Sequence, residues 1–307
     1  MPANLPPQYH EAEQRYRLVK TSPEKILALT EMLAIMPKHK GTDKLRAGLR
    51  AKIARLSQEE EKRARVFNRY LVRKEGAGQA MLVGLPNVGK SSVFSSLCGV
   101  PSRVSDYPFT TISPLPGMMK FEDIQIQLVD MPPVTGDQPW LSDVLHSPDL
   151  LLIVVDLSLD PLSQLEEVEQ RLQKLRVEKK KIMLGNKSDL PGAEISSGLL
   201  QKKCGEDFPL AFISAHSGRG IKEAGAKIYQ ALSIIRVYTK VPGGKPEFRD
   251  PAVLSYGSTV TDFAGSIHKD FAQKLKYALL WGSGKYDGQR VGKDHILKDQ
   301  DIVELHI

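Results

Sequence analysis

Cysteine is scarce in this chain, with only Cys98 and Cys204 among 307 residues. Two thiols give no disulfide framework and no four-ligand zinc site, and they suit a reducing, cytoplasmic compartment. Long apolar runs are missing too. The longest, residues 150–155, is closed by Asp149 and Asp156, far short of a bilayer crossing. The N-terminus carries Glu11, Glu13 and Arg15 with no apolar stretch, so neither a secretory signal nor a membrane partner is expected. There is no internal repeat and no low-complexity tract. What remains is an ordinary globular composition, 41% hydrophobic and 26% charged, long enough for about two domains with cores of their own.

The net charge of +7 is unevenly placed. Residues 1–75 hold 17 Lys+Arg against 9 Asp+Glu, while the rest of the chain holds 26 against 27. All the surplus positive charge therefore belongs to the N-terminal quarter, which suggests either a surface for polyanions or a solvated helical face.

Residues 8–75 read as helical. Ser22 followed by Pro23 predicts an N-cap with proline at the first helical position, and a break at 37–42 predicts the turn of a helical hairpin. The second helix carries Leu45, Leu49, Ile53 and Leu56 at helical spacing, with Arg46 and Lys52 flanking that stripe and Arg50 and Arg55 further round. From residue 76 to 235 short apolar segments alternate with helical ones, which predicts an α/β domain with a mostly parallel sheet. Ile124, Ile126 and Leu128 predict a half-buried strand. Residues 236–307 mix strand and helix as a small α+β domain. The domain division expected is thus 1–75, 76–235 and 236–307.

Gly84-Leu85-Pro86-Asn87-Val88-Gly89-Lys90-Ser91 fits the phosphate-loop pattern, between a buried strand and a helix starting near Ser91. There, backbone N–H groups face a polyphosphate, Lys90 reaches its terminal phosphates and Ser91 offers an oxygen to Mg²⁺. Asn186-Lys187-Ser188-Asp189 follows a later strand. An aspartate at that point accepts from both the ring N–H and the exocyclic amine of guanine, whereas adenine presents an acceptor there, so GTP and GDP are expected over ATP. Ser214 and Ala215 fall where a backbone N–H meets the guanine oxygen, with His216 facing solvent. Asp130 ends the strand 124–129 and is expected to hold Mg²⁺ through water. Thr110 and Thr111, with Phe109, lie in a loop placed to close over the terminal phosphate, with Thr111 as the metal ligand.

Together Gly84–Ser92, the run Tyr107-Pro108-Phe109-Thr110-Thr111 and Asn186–Asp189 resemble the Obg subgroup of GTPases. Residues 237–240, 271–282 and 291–297 are similar to the TGS domain of the DRG (developmentally regulated GTP-binding protein) family. The resemblance implies a P-loop GTPase domain preceded by a helical hairpin and followed by a β-grasp-like TGS domain. It implies nucleotide binding by Gly84, Asn87, Val88, Gly89, Lys90, Ser91, Ser92, Phe109, Thr110, Asp130, Asn186, Lys187, Asp189, Ser214 and Ala215, with Lys90 and Thr111 as catalytic groups and Ser91, Thr111 and Asp130 on the metal. Asn87 resembles the asparagine that binds K⁺ in some related GTPases.

Two departures stand out. The family has Asp-x-Pro-Gly where this chain has Asp130-Met131-Pro132-Pro133, and proline has no N–H to lend to a γ-phosphate. That hydrogen bond would be absent or would pass to Val134 or Gly136. Val134 also stands where many GTPases carry the glutamine that orients water, so slow hydrolysis is expected. The chain also lacks the inserted subdomain of full-length DRG proteins. The resemblance implies a cytoplasmic switch on ribosomes or structured RNA, with a regulatory protein on the TGS or N-terminal region and no DNA partner. The alternatives are a nucleotide-holding module with little hydrolysis and a protein–protein adaptor. Trp140, Trp281 and Cys98 are expected to pack, His268 and His295 to bind no metal, and Lys179–Lys181 to end a helix in solvent.

Overall fold

The computed structural model describes residues 6–37, 41–99, 114–132, 139–205 and 208–307, without the side chains of 63–69 and 139–140. Phe109, Thr110, Thr111, Pro133, Val134 and Gly136, and the side chain of Trp140, lie outside the described residues.

The chain falls into two compact units, residues 1–70 and 71–307. In the first, three helices rather than a two-helix hairpin pack together: α1 (Pro7–Leu18), α2 (Ser22–Ile35) and α3 (Asp43–Tyr70). Their core gathers Tyr9, Ala12, Leu29, Met32, Met36 and Leu49, with Ile53 and Leu56 packed against it. Tyr9 and Ala12 give α1 the inward face that its polar sequence concealed. The N-cap of α2 is Thr21, not Ser22, with Pro23 in the first turn. Arg46 is structural: its guanidinium donates to the Met36 carbonyl at 2.7 Å and closes the C-terminus of α2. Arg55, by contrast, projects outward and pairs with Glu59 one turn on.

The second unit holds two sheets. The first is built from β1 (Gln79–Val83), β2 (Leu115–Phe121), β3 (Ile124–Asp130), β4 (Leu150–Asp156), β5 (Lys181–Asn186) and β6 (Leu210–Phe212), ordered β2-β3-β1-β4-β5-β6. Every pairing in it is parallel except β2 with β3. Helices α4 (Lys90–Cys98), α5 (Pro139–Leu145), α6 (Pro161–Lys174), α7 (Ala193–Cys204) and α8 (Ile221–Leu232) connect the strands. β3 is buried along nearly its whole length rather than half-buried, with only Gln125 exposed: Gln127 donates to the Arg73 carbonyl and accepts from Gln79, so the segment 73–79 lies over the face that alternation would leave to solvent. Lys181 opens β5 and is no helix end, and Lys180 donates to Ser233.

The second sheet, ordered β10-β9-β11-β7-β8, comprises β7 (Ile234–Lys240), β8 (Pro246–Ser255), β9 (Tyr277–Trp281), β10 (Gln289–Val291) and β11 (Asp301–His306). Helices α9 (Val260–Ile267) and α10 (Lys269–Lys274) complete the fold. α9 opens with a capping box between Thr259 and Asp262. His268 caps α10 by accepting from the Asp270 N–H at 3.2 Å. Phe263, Val237, Leu280 and Val303 centre its core.

Two side chains of β7, Arg236 and Tyr238, join the two sheets. Arg236, 3% exposed at the side chain, donates to Asp299 (2.8 Å) and to Asp123 (2.7 Å) and also binds Glu122. Glu122 and Asp123 form the turn between β2 and β3. The guanidinium also lies over Tyr229, 5.1 Å from its ring centre, and Tyr229 stacks on Phe121 at 4.7 Å. Tyr238 donates to Asp123 beside it. These bonds raise the Arg236 pKa, Asp299 contributing most. Replacing Arg236 by Met leaves three carboxylates without their cation. Because those carboxylates are partly solvated, the expected loss is about 2–3 kcal/mol, read as a lower urea midpoint. Asp123→Asn, which keeps two of the three ion pairs, should cost less.

Candidate nucleotide site

The C-terminal ends of β1, β3, β4 and β5 lie side by side, and the loops leaving them form the site. This is where open parallel sheets bind ligands. Between β1 and α4 the chain turns through Asn87 and Gly89, both left-handed, at φ 64° and 89°. A Cβ at Gly89 would sit 2.4 Å from the Asn186 amide nitrogen, and one at Gly84 would sit 2.5 Å from the Val154 carbonyl. Both glycines are therefore required by close approach. Gly89 is the N-cap of α4 and no side chain caps that end, so the first-turn N–H groups face outward toward an anion.

Lys90 is buried, and its ammonium donates back to the carbonyls of Gly84 (3.1 Å) and Leu85 (2.9 Å). The loop thus encircles a positive charge before any phosphate arrives. Burial lowers the Lys90 pKa to about 8, with Asp130 opposing the shift.

Ser91 donates to Asp130 Oδ2 at 2.6 Å, while Asp130 Oδ1 is buried without a partner. Burial raises the Asp130 pKa against the opposing pull of Ser91 and Lys90. A buried carboxylate oxygen left unpaired is costly. An oxygen-preferring divalent cation beside Ser91 would satisfy it, so this pair fits Mg²⁺ with phosphate oxygens as further ligands. No cluster of three or more metal-ligating side chains exists among the described residues.

Asn186, at the end of β5, is buried and donates from Nδ2 to the Val88 carbonyl at 3.0 Å. Its Oδ1 accepts from the Ala215 N–H at 3.1 Å. One amide therefore stitches the phosphate loop to the Ser214-Ala215 loop, and Ser96 of α4 adds a bond to the Ala215 carbonyl at 2.8 Å. Lys187 is left-handed at φ 64° and its ammonium is held by Asp156. Burial pushes the Asp156 carboxyl up, but hydrogen bonds from Lys187 and Ser158 outweigh it and keep the group below the usual carboxylate range. Asp189 is exposed, and a hydrogen bond with Ser214 holds its carboxyl below the usual range. That keeps it ionised and aimed.

Gly84, Asn87, Val88, Gly89, Lys90, Ser91, Ser92, Asp130, Asn186, Lys187, Asp189, Ser214 and Ala215 thus cluster at one sheet edge. Asp156 escaped notice as a site residue, although its position closing the apolar run of β4 was a usable signal. Cys98 is the last residue of α4, its thiol pushed up to about 11 by burial. Among the described residues no helix is long and apolar enough to cross a membrane.

Residues 79–187 match the family model described as 50S ribosome-binding GTPase, and residues 235–307 match that of the TGS domain. Developmentally-regulated GTP-binding protein 1 of Xenopus laevis is 28% identical over 76% of this chain and 83% of its own. The chain carries a GTPase domain and a TGS domain and is similar to developmentally regulated GTP-binding proteins. An uncharacterized GTP-binding protein of Methanocaldococcus jannaschii is 29% identical, covering 92% of each chain. That alignment runs over 363 positions, more than this chain has residues, so the archaeal relative carries internal segments missing here. Ribosome-interacting GTPase 1 of Saccharomyces cerevisiae is 26% identical over 94% of this chain and 99% of its own.

The geometry makes two tests. Gly89→Ala forces Asn186 out of place and strains a left-handed residue, so guanine nucleotide binding should fall by about tenfold or more in calorimetry, with a lower urea midpoint from a loss of about 1–3 kcal/mol. An ammonium with a pKa of about 8 loses charge as pH rises through that value. Binding of the anionic nucleotide therefore weakens about fourfold between neutrality and pH 8.5, and Lys90→Arg flattens that profile, because a guanidinium keeps its charge.

Proposed function

We propose that this protein is a cytoplasmic, Mg²⁺-dependent GTPase of low intrinsic rate that acts as a switch on ribosomes or structured RNA. The observation that supports this reading best is the convergence at one sheet edge of an uncapped helix start, a buried lysine, an orphaned carboxylate oxygen and an exposed ionised aspartate. In this reading the N–H groups from Val88 to Ser92 and the Lys90 ammonium bind the β- and γ-phosphates. Asp189 reads the guanine edge, and the Ala215 loop meets its oxygen. Ser91, Asp130 and Thr111 hold Mg²⁺, which when bound neutralises charge building on the phosphates. Lys90 and Thr111 are the catalytic groups, acting by position and charge, since Val134 stands where many GTPases orient water with glutamine. Phe109 and Thr110 belong to the closing loop. Asn87, exposed and left-handed at the loop's rim, is the candidate K⁺ ligand. The domains are 1–75, 76–235 and 236–307.

Pro132-Pro133 supports a second reading, in which the site holds nucleotide and scarcely hydrolyses it, because this stretch offers the γ-phosphate no N–H. Paired calorimetry and single-turnover kinetics separate the two. A switch binds GTP and GDP with different affinities and releases γ-phosphate faster than buffer, and rates in K⁺ exceed those in Na⁺. Equal affinities with no release would establish the static module.

For RNA, the first unit supplies exposed cations. Charge reversal of Arg50, Lys52 and Arg55, leaving Arg46 to close α2, should reduce the salt dependence of RNA binding by about one log–log unit for each phosphate no longer neutralised. Unchanged binding would remove that surface and favour an adaptor docking a regulatory protein.

A further inference from the structure

Two neighbouring strands of the first sheet end in a carboxylate and a lysine that hold each other. β4 and β5 pair as far as Asp156 beside Asn186, and Lys187 follows, its backbone left-handed at φ 64°. Its ammonium is bound by one oxygen of Asp156, so the four-carbon stem bridges the ends of the two strands. The other Asp156 oxygen accepts from the Ser158 N–H at 2.9 Å and from the Ser158 hydroxyl at 2.6 Å. Asp156 is 1% exposed. The Lys187 side chain is 35% exposed, which leaves part of it open to a ligand.

Asp156 is itself fixed from α6. The buried Gln164 side chain, in the first turns of that helix, accepts from the Asp156 N–H at 2.9 Å and donates to the Asp156 carbonyl at 3.1 Å. The same amide nitrogen donates to the Asp160 carbonyl at 3.1 Å, and Asp160 caps α6 by accepting from the N–H groups of Leu162 and Ser163. Next along the chain, the Leu157 N–H donates to the Asn186 carbonyl at 3.0 Å. Gln164, Asp156 and Lys187 thus form a relay from α6 to the guanine motif. Both carboxylate oxygens and both backbone groups of Asp156 have partners, and a buried network completed in this way is rigid. Stability alone does not call for it, since well-packed apolar side chains would hold the fold as firmly as a buried ion pair. What the pair adds is a fixed place for the end of a flexible chain.

We propose that Asp156, pinned by Gln164, is a positioning residue that holds Lys187 ready for the base and so sets how long a guanine nucleotide stays bound. The proposal rests on the reading that this site binds guanine nucleotide. A free lysine loses side-chain entropy when a ligand orders it, and here that loss is met during folding. The anchored stem offers apolar methylenes to the flat face of a purine. Asp189 reads the edge of the same ring. Face and edge are separate contacts, so the relay governs affinity and residence time without choosing between purines that differ at the edge.

The test measures affinity and release of GDP on the full chain, with Mg²⁺ and after its chelation, beside inosine diphosphate, which lacks the exocyclic amine that Asp189 would read. Asp156→Asn should weaken GDP and speed its release by about ten- to thirtyfold, and weaken inosine diphosphate by the same factor. Mg²⁺ should slow release from the variant by as many fold as from wild type, because the phosphate side is untouched. Ser158→Ala, which keeps the Ser158 N–H bond, should lose about threefold. Adding Asp156→Asn to Lys187→Met should cost nothing further, because the carboxylate acts through that lysine. Wild-type release rates in both Asp156→Asn and Ser158→Ala would overturn the proposal. So would a double variant that loses the full Asp156→Asn factor on top of Lys187→Met, or a Mg²⁺ effect that collapses in Asp156→Asn, since either makes Asp156 a prop for the whole site. Should Asp156→Asn not fold, release from Ser158→Ala decides alone. A wild-type chain that binds neither GDP nor GTP would overturn the guanine reading and the proposal with it.

Discussion

The site depends on one buried amide. Asn186 donates to the carbonyl of Val88 and accepts from the N–H of Ala215, so a single planar group fixes the spacing between the loop that encircles Lys90 and the loop beyond β6. Both of its polar ends are satisfied in a dry setting, where a half-made network would be worse than none. This is also why Gly89 bears no side chain: the amide occupies the space a Cβ would need. The asparagine of the guanine motif is thus an internal strut, leaving the exposed Asp189 as the group turned outward.

A second constraint acts at the far end of the same sheet. The β2–β3 hairpin pairs continuously from Leu115 with Asp130 to Phe121 with Ile124. Its open end meets the Ser91–Asp130 contact and its turn is gripped by Arg236. A slip of one residue would turn Met119, Ile124 and Ile126 out of the core, and all three are nearly inaccessible to solvent. The hairpin is therefore a strut of fixed register. Its turn cannot change position without disturbing Arg236, Tyr238 and the TGS sheet they belong to.

Much of this was legible in the sequence. The phosphate loop, the Asn186–Asp189 turn and the alternation of buried strands with helices follow from spacing and composition, because those signals are local. β1, β4 and β5 fall where the apolar runs place them. What was illegible is long-range. α1 has a weak apolar pattern and reveals its inner face only through Tyr9 and Ala12 against α2. β3 alternates like a half-exposed strand until the segment 73–79 is found bonded to Gln127. Arg46 looks like a surface cation until the Met36 carbonyl is found beside it. β9 and β10 lie in a segment whose sequence reads only as a mixture of strand and helix. Arg236 gave no warning, since its acidic partners lie more than sixty residues away in either direction.

The contrast between Arg236 and Arg290 shows how position in one sheet decides what an arginine does. Both lie against aromatic rings on the same side of the second sheet. Arg236 has its donors spent on carboxylates from both domains, and little of it reaches solvent; removing water from its surroundings was offset by ion pairs already in place. Arg290 has a ring beneath it and, among the described residues, no carboxylate partner of comparable geometry, and it stands on a three-residue edge strand. An exposed guanidinium held flat by stacking keeps its in-plane donors free and has given up part of its side-chain entropy before any ligand arrives. The first arrangement fastens the two sheets together; the second leaves the guanidinium's in-plane donors facing solvent.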